Sequence, residues 1–189
     1  MYRQYSKGMI EVIAGPMFSG KSEELLKRFR ILGHAKEKIV LIKPSYDTRY
    51  GVDMIKSRSG VQFNSYVAKD SDRVKELASD YNFVIIDEVQ FFDLKIVDVI
   101  EELASSGKRV IVSGLDTDFR RKPFPVVAQL LAMAEHVTKL SAVCVICHNA
   151  ATTTYRTSDS TETNLLGDDD IYQARCRTCH IEGTNKRKK

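Results

Sequence analysis

The sequence predicts an α/β fold: a mostly parallel sheet followed by a small metal-binding unit. Three observations carry that prediction. Apolar runs recur along the chain, MIEVIA at 9–14, KIVLIK at 38–43, FVII at 83–86 and RVIVS at 109–113, with helix-patterned stretches between them. Strands covered on both faces of a parallel sheet read as such continuous runs. The octet GPMFSGKS, residues 15–22, follows the first run and opens a helical pattern. All four cysteines fall in two Cys-x-x-Cys pairs near the end of the chain.

In chain order, residues 9–14 form the first buried strand. The spacing G-x-x-x-x-G-K-S then defines a phosphate-binding loop, in which glycines let successive backbone N–H groups wrap an anion. Gly15, Pro16, Met17, Phe18, Ser19 and Gly20 make the loop. Lys21 is placed to reach terminal phosphates and Ser22 to offer its hydroxyl to Mg²⁺. The helix that follows spans 21–32: Leu25, Leu26, Phe29 and Leu32 fall on one face, Glu23, Glu24, Lys27, Arg28 and Arg30 on the other, and Gly33 is its stop. Its positive dipole end points at the same anion. Residues 38–43 are the second strand.

After Pro44, SYDTRYGVDMIKSRSG carries charge without periodicity and predicts a long surface loop, with Arg49 and Arg58 as candidate phosphate contacts. A short strand is expected over 61–68 and a short helix over 71–79. FVIIDEVQFF at 83–92 is a strand that delivers Asp87 and Glu88 to the carboxyl edge of the sheet, where ligands bind in open α/β folds. Asp87 suits the ordering of Mg²⁺, and Glu88 beside it is free for proton chemistry. A helix over 94–106 ends at Gly107, and residues 109–113 form another inner strand. GLDTDFRRKPF brings Phe119 and Phe124 to the same edge, a helix covers 125–134, and 138–143 is the last strand.

Cys144 and Cys147 are separated from Cys176 and Cys179 by the 28 residues 148–175. Two knuckles at that separation make a tetrahedral Zn²⁺ site, structural because four thiolates leave no open position. His148 and His180 each adjoin a knuckle and either could replace a cysteine, His180 the better placed. The Ser/Thr/Asp-rich stretch 157–170 is expected to be flexible until something binds.

The 189 residues suffice for one main domain with a small appendage. The composition is 43% hydrophobic and 29% charged with a net charge of +4, ordinary for a globular protein. No apolar run approaches the ~20 residues of a membrane span, and the first residues lack the apolar core of a signal peptide. The expectation is a cytoplasmic protein in which the cysteines hold metal. Residues 1–140 are read as the nucleotide-binding domain, 141–185 as the zinc-binding domain, and 186–189 as a basic, disordered tail.

Taken in order, GPMFSGKS, DTRYG, IDEVQFF, GLDTDFRRKPF, LSAVCVIC and IYQARCRTC resemble the zinc-containing, cellular type of thymidine kinase over nearly the whole chain. The resemblance implies a RecA-like parallel sheet, a zinc domain whose loop closes over the nucleoside as a lasso, and a homotetramer. It implies transfer of a phosphoryl group from ATP to the 5′-hydroxyl of thymidine, with deoxyuridine accepted as well. Glu88 then resembles the general base, while Asp87 and Ser22 resemble the magnesium-organising pair. Gln90 joins Asp87 and residues 15–22 around ATP, and Arg156 and Gln90 stand near the sugar. Met17, Phe91, Leu115, Phe119, Phe124, Thr154 and Tyr172 match positions that wall the base pocket. Inhibition by dTTP is implied, and no nucleic-acid or membrane partner. Where the family often has two adjacent glycines before the tyrosine, Asp168 follows Gly167 here; aspartate tolerates positive φ better than most residues. Judged without the resemblance, the rival is a zinc-ribbon P-loop ATPase that grips nucleic acid through its knuckle and basic tail. A nucleotide-binding scaffold without turnover is the third class.

Overall fold

The computed structural model describes residues 8–34, 37–47, 54–56 and 62–187. Strand β1 (Met9–Ala14) runs into the glycine loop and helix α1 (Lys21–Gly33). Strand β2 (Ile39–Pro44) follows. Part of the aperiodic connector then folds as a hairpin of β3 (Met54–Lys56) and β4 (Gln62–Asn64). Arg49 and Arg58 lie outside the described residues. The strand expected over 61–68 is in fact two, because the chain breaks at Ser65 to leave the hairpin and enter the main sheet as β5 (Tyr66–Ala68).

Helix α2 (Ser71–Leu77) starts at Asp70, whose carboxylate accepts the Arg73 N–H as an N-cap. Strand β6 (Phe83–Ile86) leads through a single 3-10 turn, Val89–Phe91, to α3 (Ile96–Ser105). Next come β7 (Arg109–Gly114), α4 (Pro125–Met133), which has proline in its first turn, and β8 (His136–Lys139).

Six strands form one sheet in the order β5-β2-β6-β7-β1-β8, and every pairing in it is parallel. This is the predicted RecA-like sheet, with β7 between the phosphate-loop strand β1 and the carboxylate strand β6. Alternation along the strands feeds two cores. Ile10, Val12, Val84, Ile86, Val110 and Val112 pack under α3 and α4, while Ile13, Leu41, Ile85 and Ile111 pack under Leu25 and Leu26 of α1. Glu11 turns to the α1 side and is buried there. It accepts from Arg28 at 2.6 Å and from Arg109, so a charge pointing into the sheet–helix layer is fully paired.

The strand expected over 138–143 divides at Leu140 and Ser141: β8 finishes the large sheet, and β9 (Ala142–Val143) pairs antiparallel with β10 (Ala150–Ala151). A second ribbon, β11 (Thr153–Arg156) with β12 (Tyr172–Arg175), is followed by α5 (Arg177–Arg187). Lys186 and Arg187 are therefore the last turn of a helix and not a disordered tail, their cations lying at its negative dipole end. Among the described residues no helix is long and apolar enough to cross a membrane.

Candidate functional site

The phosphate loop joins the carboxyl end of β1 to α1. Gly15 passes so close to Leu140 that a Cβ would lie 2.6 Å from its carbonyl oxygen, and Gly20 holds the left-handed N-cap position at φ 82°. That N-terminus has no side-chain cap, which suits an anion site. Lys21 is not the solvated group a phosphate cradle suggests. It is 8% exposed, and its ammonium donates to the Pro16 carbonyl at 2.8 Å.

At the end of β6 the two carboxylates separate by backbone geometry. Neighbours on a strand point to opposite faces, but Glu88 leaves the strand in the left-handed region at φ 50°, and both side chains reach one cavity. A non-glycine residue in that region is strained by about 1–3 kcal/mol, a feature found at functional sites. Asp87 Oδ2 accepts from Ser22 Oγ at 3.1 Å, and Oδ1 accepts from the Glu88 N–H at 3.0 Å and from Ser113 Oγ. Glu88 is oriented by Gln90, whose Nε2 donates to it at 2.5 Å while its Oε1 accepts the Leu115 N–H at 3.1 Å.

Burial, reinforced by the charge of Glu88, pushes the Asp87 carboxyl up to about 6, against the hydrogen bonds from Ser113, Ser22 and the Glu88 N–H. Its folded value thus lies above its unfolded one. The protonated acid is favoured by folding, and the stability it contributes is present below pH ~4 and lost as pH rises through about 6. Unfolding of the nucleotide-free protein by urea across that window is expected to show a falling stability that Asp87→Asn flattens. An unchanged slope in the variant would remove Asp87 as its source.

The cavity over these groups is lined by every residue expected to wall the base pocket, Met17, Phe91, Leu115, Phe119, Phe124, Thr154 and Tyr172, together with Phe18, Gly20, Lys21, Ser22, Asp87 and Glu88. Gly15, Pro16, Ser19 and Gln90 are not among its lining residues. The Met17 N–H donates to Thr154 Oγ1 at 3.0 Å, tying the phosphate loop to β11. Asp47, Met54, Ile55, Thr117 and Asp118 also line the cavity and were not singled out from sequence; for Asp47 the DTRYG block was the available signal.

The segment 157–170, expected to be flexible, is held across the cavity. Arg156, 2% exposed, stacks 3.8 Å above the Phe119 ring and donates to the carbonyls of Ser160, Glu162 and Thr163 and to Tyr172 Oη. Tyr172 Oη donates to the Leu165 carbonyl at 2.7 Å. Arg156 is thus a clamp on the segment. Asp168 does not occupy the left-handed region; a turn closed by its own carbonyl, which accepts the Ile171 and Tyr172 N–H groups, does without the second glycine.

The sulfur atoms of Cys144, Cys147, Cys176 and Cys179 all lie within 4.8 Å of one another, which makes the quartet a candidate metal centre. Bonds of 2.3 Å to a tetrahedral ion would set sulfurs ~3.8 Å apart, so the donor set fits. His180 is turned away from it: Nε2 meets the Phe119 carbonyl at 2.9 Å, and the ring packs edge-on against Tyr155. His148 is likewise not in the cluster. Burial lowers the pKa of His180.

Compared with known proteins, residues 8–180 match the family model described as thymidine kinase. The thymidine kinase of Mycoplasma mobile is 53% identical over 188 residues, 99% of this chain and 94% of that protein. The thymidine kinase of Mesomycoplasma hyopneumoniae (strain 7448) is 51% identical over 182 residues, 95% and 99% of the two chains. That of Metamycoplasma arthritidis is 49% identical over 189 residues, 99% and 97%. Nothing in these matches favours the nucleic-acid ATPase. With a family match that runs from the residue before β1 into α5, and full-length relatives at about half identity, the chain belongs to the thymidine kinase family.

Proposed function

We propose that this enzyme transfers the γ-phosphoryl group of ATP to the 5′-hydroxyl of thymidine, and of deoxyuridine, giving the nucleoside monophosphate and ADP. The observation that carries the reading is the convergence of Lys21, Ser22, Asp87 and Glu88 with the expected base-pocket walls in one cavity. Glu88 takes the proton of the hydroxyl as its oxygen forms the new P–O bond, and the β–γ bridging oxygen leaves with ADP. Ser22 and Asp87, two adjacent hard oxygen donors, would hold Mg²⁺, which supplies charge neutralisation on the phosphates. Residues 15–22 cradle the phosphates, with Gln90 positioning Glu88, and Met17, Phe91, Leu115, Phe119, Phe124, Thr154 and Tyr172 exclude water around the base. A nucleoside panel with ATP and Mg²⁺, following ADP and monophosphate together, is the test. Turnover of thymidine and deoxyuridine above the other nucleosides is expected; ADP formed without any monophosphate would overturn the reading.

Residues 1–140 serve as the kinase unit and the remainder through α5 as a zinc unit carrying the lasso. Zn²⁺ on Cys144, Cys147, Cys176 and Cys179 would be structural, since four thiolates fill its coordination. Because such an ion supplies folding free energy to its knuckles, chelation or Cys176→Ser is expected to lower the thermal midpoint and raise KM for thymidine more than KM for ATP. Metal analysis and the paired KM values check this; active protein free of zinc would sink it. A cytoplasmic homotetramer inhibited by dTTP, with no nucleic-acid partner, completes the proposal. Sedimentation and dTTP titration are its measurements.

A further inference from the structure

We propose that Tyr46 is a positioning residue for the nucleoside, a latch that fastens the lasso to the sheet on the side away from the zinc unit. The inference rests on the phosphoryl-transfer reading above. Tyr46 sits in a turn directly after β2 that is fixed to the sheet: the Ser45 N–H donates to the Ala68 carbonyl at 2.9 Å, and the Asp47 N–H to the Pro44 carbonyl at 3.1 Å. From this base the ring packs on Phe91 with centroids 4.8 Å apart, and the hydroxyl donates to the Asn164 carbonyl at 2.8 Å. Phe91 and Asn164 both line the cavity while Tyr46 does not, so it acts through one wall and one piece of the lid.

The contacts along the lasso are unequal. The carbonyls of Ser160, Glu162, Thr163 and Leu165 are taken by Arg156 and Tyr172, which are buried and belong to β11 and β12, the strands from which the lasso springs. Those clamps travel with the lasso when it moves. Among the described residues, two hydrogen bonds to lasso carbonyls come from the other side of the cavity, Arg120 to Thr161 and Tyr46 to Asn164, both from exposed side chains. An exposed bond is exchanged for water more readily than a buried one, so this end opens first and the buried end acts as the hinge. Arg120 also lies on a pocket wall, its guanidinium 4.7 Å from the Phe119 ring centroid; Tyr46 is the one whose turn is tied by main-chain bonds to the sheet, and fastening it aligns Phe91 and the 163–167 backbone in the same step.

The test is Tyr46→Phe, which keeps the ring on Phe91 and removes only the hydroxyl. Loss of one such hydrogen bond shifts an equilibrium about 2–10-fold. The expected result is that much increase in KM for thymidine, with kcat and KM for ATP within about twofold, and a similar increase in chymotryptic cleavage after Leu165 or Leu166 in the unliganded protein. Tyr46→Ala, which also strips the ring, is expected to enlarge both effects. Wild-type cleavage in Tyr46→Phe overturns the latch, and so does faster cleavage with an unchanged KM, which would leave the contact merely structural. If the wild-type enzyme does not phosphorylate thymidine, the reaction reading fails by itself, and cleavage, which needs no substrate, still decides the latch.

Discussion

Lys21→Ala is expected to reduce kcat by at least about 10²–10³-fold, the scale on which removing one preorganised donor acts on a transition state. The loose phosphoryl-transfer transition state spreads negative charge over the equatorial oxygens, and catalysis is positioning plus charge stabilisation. Lys21 is held in reserve for this: its ammonium rests on the Pro16 carbonyl of its own loop and lines the cavity beside Ser22 and Asp87. A phosphate arriving there would accept a charge-assisted hydrogen bond from the ammonium, stronger than one to a neutral carbonyl. The substitution also forfeits the bond to Pro16, about 1 kcal/mol of stability, so thermal unfolding of the variant is measured alongside. A folded variant with kcat within about tenfold of wild type would show that the phosphates bind elsewhere.

Glu88→Gln is expected to lower kcat by about 10²–10⁴-fold, or ~3–5 kcal/mol of barrier, with KM for thymidine and ATP nearly retained. Glutamine preserves the size of the side chain and can still accept from Gln90, but it cannot take a proton at neutral pH. The left-handed backbone at Glu88 is equally strained with either residue, so little change in stability follows from the exchange. If Glu88 served only as a pairing group at the strand end, with Arg49 or Arg121 as its partner, the substitution would alter stability by ~0–1 kcal/mol and leave chemistry alone. Steady-state kinetics separate the two: kcat within about threefold of wild type would exclude the general-base role, and a fall in kcat with KM held would support it.

Much of the candidate site is legible in short stretches of chain because its parts are local devices. The glycine at 15, the left-handed Gly20 and the Lys21-Ser22 pair lie within eight residues, and their spacing alone builds an anion cradle. The four apolar runs became four parallel strands, because burial on both faces leaves no polar alternation for anything else. Two errors have a common origin. The runs at 61–68 and 138–143 look continuous in composition, yet each chain segment changes sheets midway, a decision made by partner strands far away. His180 was a fair candidate ligand by adjacency, but the turn of α5 directs it to Phe119, 61 residues distant.

What the sequence determined by itself is therefore whatever depends on neighbours within one element: the strands of the four apolar runs and the helices, the phosphate loop, the Asp87-Glu88 pair and the cysteine quartet. Tertiary structure alone decided which carbonyls of 160–165 find Arg156, Tyr172, Arg120 and Tyr46, and that Thr154 receives the Met17 N–H across 137 residues. The reason is physical. Side-chain periodicity is fixed by backbone geometry over two to four residues, whereas the path of an irregular segment is set by where its unpaired backbone groups can be satisfied, and those donors come from strands that only the assembled fold brings together.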